Sequence, residues 1–313
     1  MDKRVEHAMG VLFRFGERLL PIPLLVLAIL PAAMVMGRRM VLRGVSLRLV
    51  NQLPAAVKPR QPRWRWLWRA WLRQVAVYTT RFLSLCPERL REPRWSRRCR
   101  FIGLNRLEAP LSEGRPVILA TLHYGDLVML YHWLRSRGIA VAFLAARKRK
   151  RTPAFRDRLD LLADRANGLV GVPRLIHPDQ LWDAREFLGG PARVLAVAME
   201  RSTKRDVRVN GPGYSLWLSP GAIRMAAIVG AVVIPCLISS HGCLSSTIRF
   251  GSPVPQEDVA DRNRHLLACE HIVRRTVPWV ARQPEQCAKG LIASFETTDN
   301  PVPEAQVISE HPD

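Results

Sequence analysis

The sequence predicts an α/β protein, with a largely parallel central sheet flanked by helices and an N-terminal membrane-associated helical segment. Three observations carry this. Short continuous apolar runs, "PVILATL" (116–122), "IAVAFLA" (139–145), "ARVLAVAM" (192–199) and "AVVIPCLIS" (231–239), have the length and make-up of strands buried on both faces. Helix-like stretches, "DLVMLYHWLRSRG" (126–138) and "SPGAIRMAAIVG" (219–230), alternate with them, and such alternation favours a parallel sheet. Upstream, residues 19–37 run for 19 positions without a charge.

That upstream run approaches the roughly 20 residues a helix needs to span a bilayer. Pro21, Pro23 and Pro31 interrupt it, so it either spans or dips into one leaflet. No small-residue cleavage site closes it, which argues against a cleaved signal peptide. Lys3, Arg4, Arg14 and Arg18 precede the run and Arg38, Arg39, Arg43 and Arg48 follow it, and the positive-inside rule favours the main domain on the cytoplasmic side.

Next comes "PRWRWLWRAWLRQ" (62–74). Trp64, Trp68 and Trp71 fall on one helical face, and Arg65, Arg69 and Arg73 on a neighbouring one. Indole rings favour the headgroup level, and each arginine near an anionic leaflet adds about 1 kcal/mol. A helix lying on the bilayer is the favoured reading; a core helix with a solvated basic edge is the other. The chain thus divides into a membrane segment (1–50), an interfacial Trp/Arg-rich region (51–97), an α/β domain (98–295) and a polar, proline-containing tail (296–313), expected to be disordered.

Lys and Arg number 48 against 26 Asp and Glu, a net charge of +22. An excess of that size calls for an anionic partner. Nucleic acid is disfavoured by the apolar N-terminal run and the lack of any nucleic-acid motif. Six cysteines show no CxxC pair, so they read as reduced thiols, and no Cys/His cluster has the spacing of a metal site.

Within the α/β domain, "STIRFGSPVP" (246–255) suggests a further strand, and 262–286 one or two helices. Gly230 is expected to close the helix at 219–230, and Pro235 to end the strand "AVVI" or to sit at a sheet edge. His132 reads as structural. His241 is a second, weaker candidate near a strand end. The basic run Arg147–Arg151 suits phosphates, an acidic protein or a solvated loop.

Ligands collect at the carboxyl ends of parallel strands, and His123 stands at one such end, followed by Gly125 and Asp126. An imidazole there suits removal of a hydroxyl proton, worth about 10²–10⁴ in rate. A nearby carboxylate would fix its tautomer, and Asp126 could supply it. Alternatively Asp126 merely caps a helix and His123 is buried and hydrogen-bonded.

The order of these features resembles the lipid A biosynthesis acyltransferase family (lauroyl and myristoyl transferases) of the lysophospholipid acyltransferase superfamily. That family carries an H-x4-D/E motif, often H-[FY]-G-N-W-E. Here "HYGDLV" matches at His123, Tyr124 and Gly125. Asp126 replaces the usual asparagine, and Val128 stands at the family's acid. "LSPGAIRMAAIVGAVVIPCLI" (218–238) is similar to the block P-x-G-x-A-R-L-A-x-x-x-G-A-x-V-V-P through Pro220, Gly221, Arg224, Gly230, Ala231 and Pro235. Residues 151–173 resemble the family's middle block, with Arg165 nearest to its lipid-contacting arginine, and the strand at 192–199 leads to Glu200.

The resemblance covers roughly residues 10–280. It implies a membrane-associated O-acyltransferase that moves a fatty acyl chain from an acyl-thioester, acyl carrier protein or coenzyme A, to a hydroxyl of a lipid or glycolipid such as lipid A, without cofactor or metal. His123 would be the general base and Asp126 its orienting acid, with Glu200 as another possible acid. Arg165, Glu200, Gly221 and Arg224 would line the substrate site. Val128 supports an alternative: an inactive relative that binds a lipid or a partner protein.

Overall fold

The computed structural model describes residues 31, 34, 53–58, 62, 64–72, 75, 98–144, 174–176, 181–200, 206–242 and 245–298. The elements of the α/β domain run β1 (Cys99–Ile102), α1 (Asn105–Ser112), β2 (Val117–Thr121), α2 (Leu127–Ser136), β3 (Ala140–Leu144), β4 (Arg174–Ile176), α3 (Leu181–Leu188), β5 (Arg193–Ala198), β6 (Val207–Gly211), β7 (Tyr214–Leu218), α4 (Gly221–Val229), β8 (Val232–Gly242), β9 (Ser245–Phe250), α5 (Gln256–Ala260), α6 (His265–Arg282), α7 (Lys289–Ala293) and β10 (Phe295–Thr297).

Seven strands form one sheet in the order β1-β9-β8-β2-β5-β3-β4. The pairs β1–β9, β8–β2, β2–β5, β5–β3 and β3–β4 are parallel, and β8–β9 is antiparallel. The four apolar runs singled out in the sequence are β2, β3, β5 and β8. They sit side by side at the centre, where both faces are covered, so each could be apolar throughout. β2 is buried at every position.

Period two sorts the side chains of these strands into two cores. Ile118, Ala120, Leu195, Val197, Val233 and Leu237 face one side, with α3, α4 and α6 packed there. Val117, Leu119, Val194, Ala196, Val232 and Ile234 face the other, against α1 and α2. α2 contributes Met129, Leu130, Trp133 and Leu134, all essentially buried. Each such side chain contributes about 1.5–3 kcal/mol relative to an exposed one.

The helix closed by Gly230 forms as expected. Gly230 has φ of 68°, and its N–H reaches the Ala226 carbonyl. Pro235 does not end its strand. It lies inside β8, opposite Ala120 of β2, and β9 pairing begins at the next residue, Cys236 opposite Phe250. Pro235 is therefore where the parallel partner on one side gives way to the antiparallel partner on the other. Its carbonyl still accepts from the Gly251 N–H at 2.8 Å.

A second sheet, β10-β7-β6, covers part of the first core. Phe295–Thr297 pairs antiparallel with Tyr214–Leu216, so Glu296 and Thr297, assigned above to the tail, are strand residues. Residues 299–313 lie outside the described residues, as does most of 19–37. Among the described residues no helix is long and apolar enough to cross a membrane.

His132 is half-buried on α2. Burial, and then the charge of Arg135, lower its pKa from 6.5 to about 4. Between those values the unfolded chain takes up a proton that the folded chain resists. This contribution to stability is full above pH 6.5 and is lost as pH falls toward 4, by at most about 3 kcal/mol. His132→Gln removes the titration, so its urea midpoint is expected to fall less between pH 7 and pH 4.5 than that of the unaltered protein. Equal falls in the two proteins would refute this.

Candidate active site

Strands β2 and β5 pair in register, with Thr121 opposite Ala198 where both end. Two residues on, the chains carry His123 and Glu200. Parallel register therefore delivers the two side chains to one place, at the carboxyl edge of the sheet. Met199 N–H donates to the Thr121 carbonyl at 2.9 Å and continues the ladder past the strand ends.

The two residues meet there. His123 Nδ1 contacts Glu200 Oε1. The His123 backbone N–H also donates to the same carboxylate, 3.1 Å from Oε1 and 3.0 Å from Oε2. Glu200 is thus clamped from the ring and from the main chain. Its side chain is 5% exposed, whereas that of His123 is 58% exposed. A carboxylate at Nδ1 favours the tautomer with the proton on that nitrogen, leaving the Nε2 lone pair for a substrate proton.

The turn carrying His123 is held by residues far along the chain. Tyr124 pairs with Cys287 in an isolated antiparallel bridge. Gly125 N–H donates to the Gln286 carbonyl at 3.0 Å, and Ala288 N–H donates to the His123 carbonyl at 2.8 Å. Gly125 has φ of +64°, and a Cβ there would run into the Ile238 carbonyl on β8. The glycine is required by backbone conformation and by close approach together.

Asp126 immediately precedes α2 and is buried, its carbonyl accepting from the Met129 N–H at 3.0 Å. Asp126 was expected as the orienting acid; the carboxylate at His123 Nδ1 is that of Glu200. Parallel register brings residue 200 beside residue 123, while Asp126 lies at the start of the following helix. Gly221 opens α4, close to the site, because Ser219 N–H donates to the Met199 carbonyl. Arg224, one turn further, acts on the Cys269 thiol of α6 and so lies toward the α4–α6 contact. Arg165, Arg147–Arg151 and Arg73 are outside the described residues. His241 is exposed and makes a 2.9 Å contact with Thr247 on β9.

Burial raises the pKa of the Cys99 and Cys269 thiols to about 12, and those of Cys236 and Cys287 also rise. Cys287 lies beside the site, where Glu285 and Glu200 add to the effect of burial. All four stay protonated near neutral pH, so none is an activated nucleophile. Among the described residues no group of three or more His, Cys, Asp or Glu is placed to hold a metal ion.

The chain matches no known protein-family model and no curated protein.

Residues 64–72 form a helix. Trp64, Trp68 and Leu72 are exposed along one face, at 65%, 54% and 45%, while Trp66 and Ala70 are buried on the other. Arg65 and Arg69 are exposed beside the first face. Trp71, expected to share the outer face, is half-buried, and its indole N–H donates to the Met34 carbonyl at 3.3 Å.

Proposed function

We propose that this protein is a membrane-associated O-acyltransferase, in which the His123–Glu200 pair supplies general-base catalysis. The pairing of an exposed imidazole with a buried carboxylate at the carboxyl ends of β2 and β5 is the observation that carries this reading. The binding-only alternative drew on Val128. Glu200 provides at Nδ1 the carboxylate that valine cannot.

The chemistry balances with these groups alone. His123 Nε2 takes the proton of the acceptor hydroxyl as its oxygen attacks the thioester carbonyl. Glu200 stabilises the imidazolium. The tetrahedral intermediate collapses, the C–S bond breaks, and the imidazolium returns its proton to the departing thiolate. The products are an O-acyl ester and a free thiol. Acyl carrier protein, which is acidic, suits a chain of net charge +22 as donor. Arg165, Arg224 and Gly221 are proposed at the acceptor side.

The decisive experiment is transfer of radiolabelled acyl groups from acyl carrier protein to a panel of hydroxylated lipids. Transfer that survives His123→Ala unchanged sinks the proposal.

An anionic bilayer at the cytoplasmic face of the inner membrane is the proposed setting. The Trp64, Trp68 and Leu72 face, bordered by Arg65 and Arg69, has the chemistry of a helix resting at the headgroup level. Trp64→Ala with Trp68→Ala is expected to weaken binding to anionic vesicles at least about tenfold, as two indoles leave the interface. Vesicle flotation checks this, and unchanged flotation rejects the role of that face.

A further inference from the structure

A second cluster stands on the α6 side of the sheet. Arg249 of β9 lies against the Trp279 ring of α6, with its Cζ 3.6 Å from the ring centroid. Arg282, one turn on, approaches the same ring at 4.4 Å. Arg100 joins them through register. β1 and β9 are parallel with Ile102 opposite Arg249 and Arg100 opposite Thr247, so Arg100 and Arg249 point to one face.

Two guanidiniums against one indole, with a third on the same sheet face, call for a compensating charge, and among the described residues no carboxylate forms an ion pair with them. The carboxylates of Glu113, Glu200, Glu296 and Asp258 pair elsewhere, with Arg115, His123, Arg208 and Arg264. None pairs with Arg100, Arg249 or Arg282. Arg249 is half-buried, and its Nε–H is buried without a hydrogen-bond partner. Its pKa is lowered, first by burial and then by the charges of Arg100 and Arg282. A donor so placed costs free energy until an acceptor reaches it.

We infer that Arg249 and Arg282, held against Trp279, form with Arg100 a binding site for a phosphate group. A phosphate offers several acceptor oxygens and up to two charges, so it can engage more than one guanidinium fork at once. Trp279 holds two of those forks in place by cation–π contact. The cluster is also tied to the turn of the candidate active site, because the Tyr124 hydroxyl donates to the Trp279 carbonyl at 3.4 Å. A phosphate arrives either free or as the headgroup of a lipid. Binding is read without turnover, so this site and the acyl-transfer reading can fail separately.

The test uses the whole 313-residue chain in detergent. Inorganic phosphate is titrated by calorimetry at fixed ionic strength against the unaltered protein, Arg249→Met, Arg282→Met and Arg274→Met. Arg282 is exposed, so its replacement leaves the fold intact even if Arg249→Met does not fold. Arg274 is an exposed arginine of the same helix, outside the cluster, and controls for general attraction to a basic surface. A second arm measures binding to phosphatidylcholine vesicles with and without phosphatidic acid.

Saturable phosphate binding, weakened at least about tenfold by Arg282→Met and unchanged by Arg274→Met, is the expected result; tenfold corresponds to about 1.4 kcal/mol. If phosphate alone does not bind but phosphatidic acid binding shows the same pattern, the site stands and its ligand is a lipid headgroup. If neither probe saturates, or Arg274→Met weakens binding as much as Arg282→Met, the inference is overturned.

Discussion

Glu200→Gln is expected to slow acyl transfer by about 10²–10⁴, the range for loss of positioned base catalysis. The amide is nearly isosteric with the carboxylate, so the fold should survive. It is neutral, however, and cannot stabilise an imidazolium. It also offers an N–H to Nδ1, which favours the tautomer with the proton on Nε2, the nitrogen that must be free. His123→Ala should cost at least as much. Because the two residues act as one unit, the double variant should be no slower than His123→Ala alone. Single-turnover rates on folded protein decide the matter. A Glu200→Gln enzyme within about threefold of the unaltered rate would remove Glu200 from the mechanism. Asp126→Asn tests the other carboxylate of the same turn. Asp126 is buried at the start of α2, so its effect is expected on stability more than on rate.

Gly125→Ala is expected to destabilise the protein by about 2–4 kcal/mol, in the range of strained or overpacked substitutions. Two costs combine. The backbone at φ of +64° disfavours any Cβ, worth about 1 kcal/mol alone. The new Cβ also meets the Ile238 carbonyl, which belongs to a central strand and cannot move without disturbing β8. Gly138→Ala separates the two terms. Gly138 has φ of +77°, but a Cβ there meets nothing within 4 Å, so only the conformational cost applies. Urea denaturation of both variants checks the difference. Equal losses would mean that the approach to Ile238 is not what fixes this glycine. Gly125→Ala should also slow transfer on the remaining folded protein, because the turn that presents His123 must shift.

The central strands were legible because burial on both faces leaves a continuous apolar run, which little else in a soluble domain produces. β2, β3, β5 and β8 all announce themselves this way. The β6–β7 hairpin was missed, although "VRVNGPGYSLWL" carries alternation and a glycine-rich turn, with Val209, Leu216 and Leu218 buried. β4 and β10 are three residues each, too short to leave a pattern. Pro235 misled because the usual exclusion of proline from central strands assumes an N–H partner, and this position falls at a change of partner.

In the site, His123 was legible from its place after an apolar strand. Its acid was harder. Sequence proximity favoured Asp126, but spatial proximity depends on which strand lies next to β2 and in what register. Neither is written locally. Glu200 could be weighed only as another acid at the end of another strand. The segment 286–288 that braces the turn gave no signal, since it contributes main-chain groups. The Arg100–Arg249–Arg282 cluster was equally hidden, because a strand-edge arginine reads as a solvated charge until its neighbours are known.

The bracing of the histidine turn has a consequence for how the protein is made. Ala288 and His123 are 165 positions apart (288 − 123), and they share a main-chain hydrogen bond. A ribosome releases the histidine, and then the glutamate, long before it delivers residues 286–288. Until those emerge, the nascent chain carries both reactive side chains but not the backbone that aims one of them. A message truncated after β9 would encode the histidine and its acid intact, yet yield a chain whose turn at 123–125 lacks its bracing partners. So distant a closure also places completion of the site late in folding, since contacts of long sequence separation form slowly.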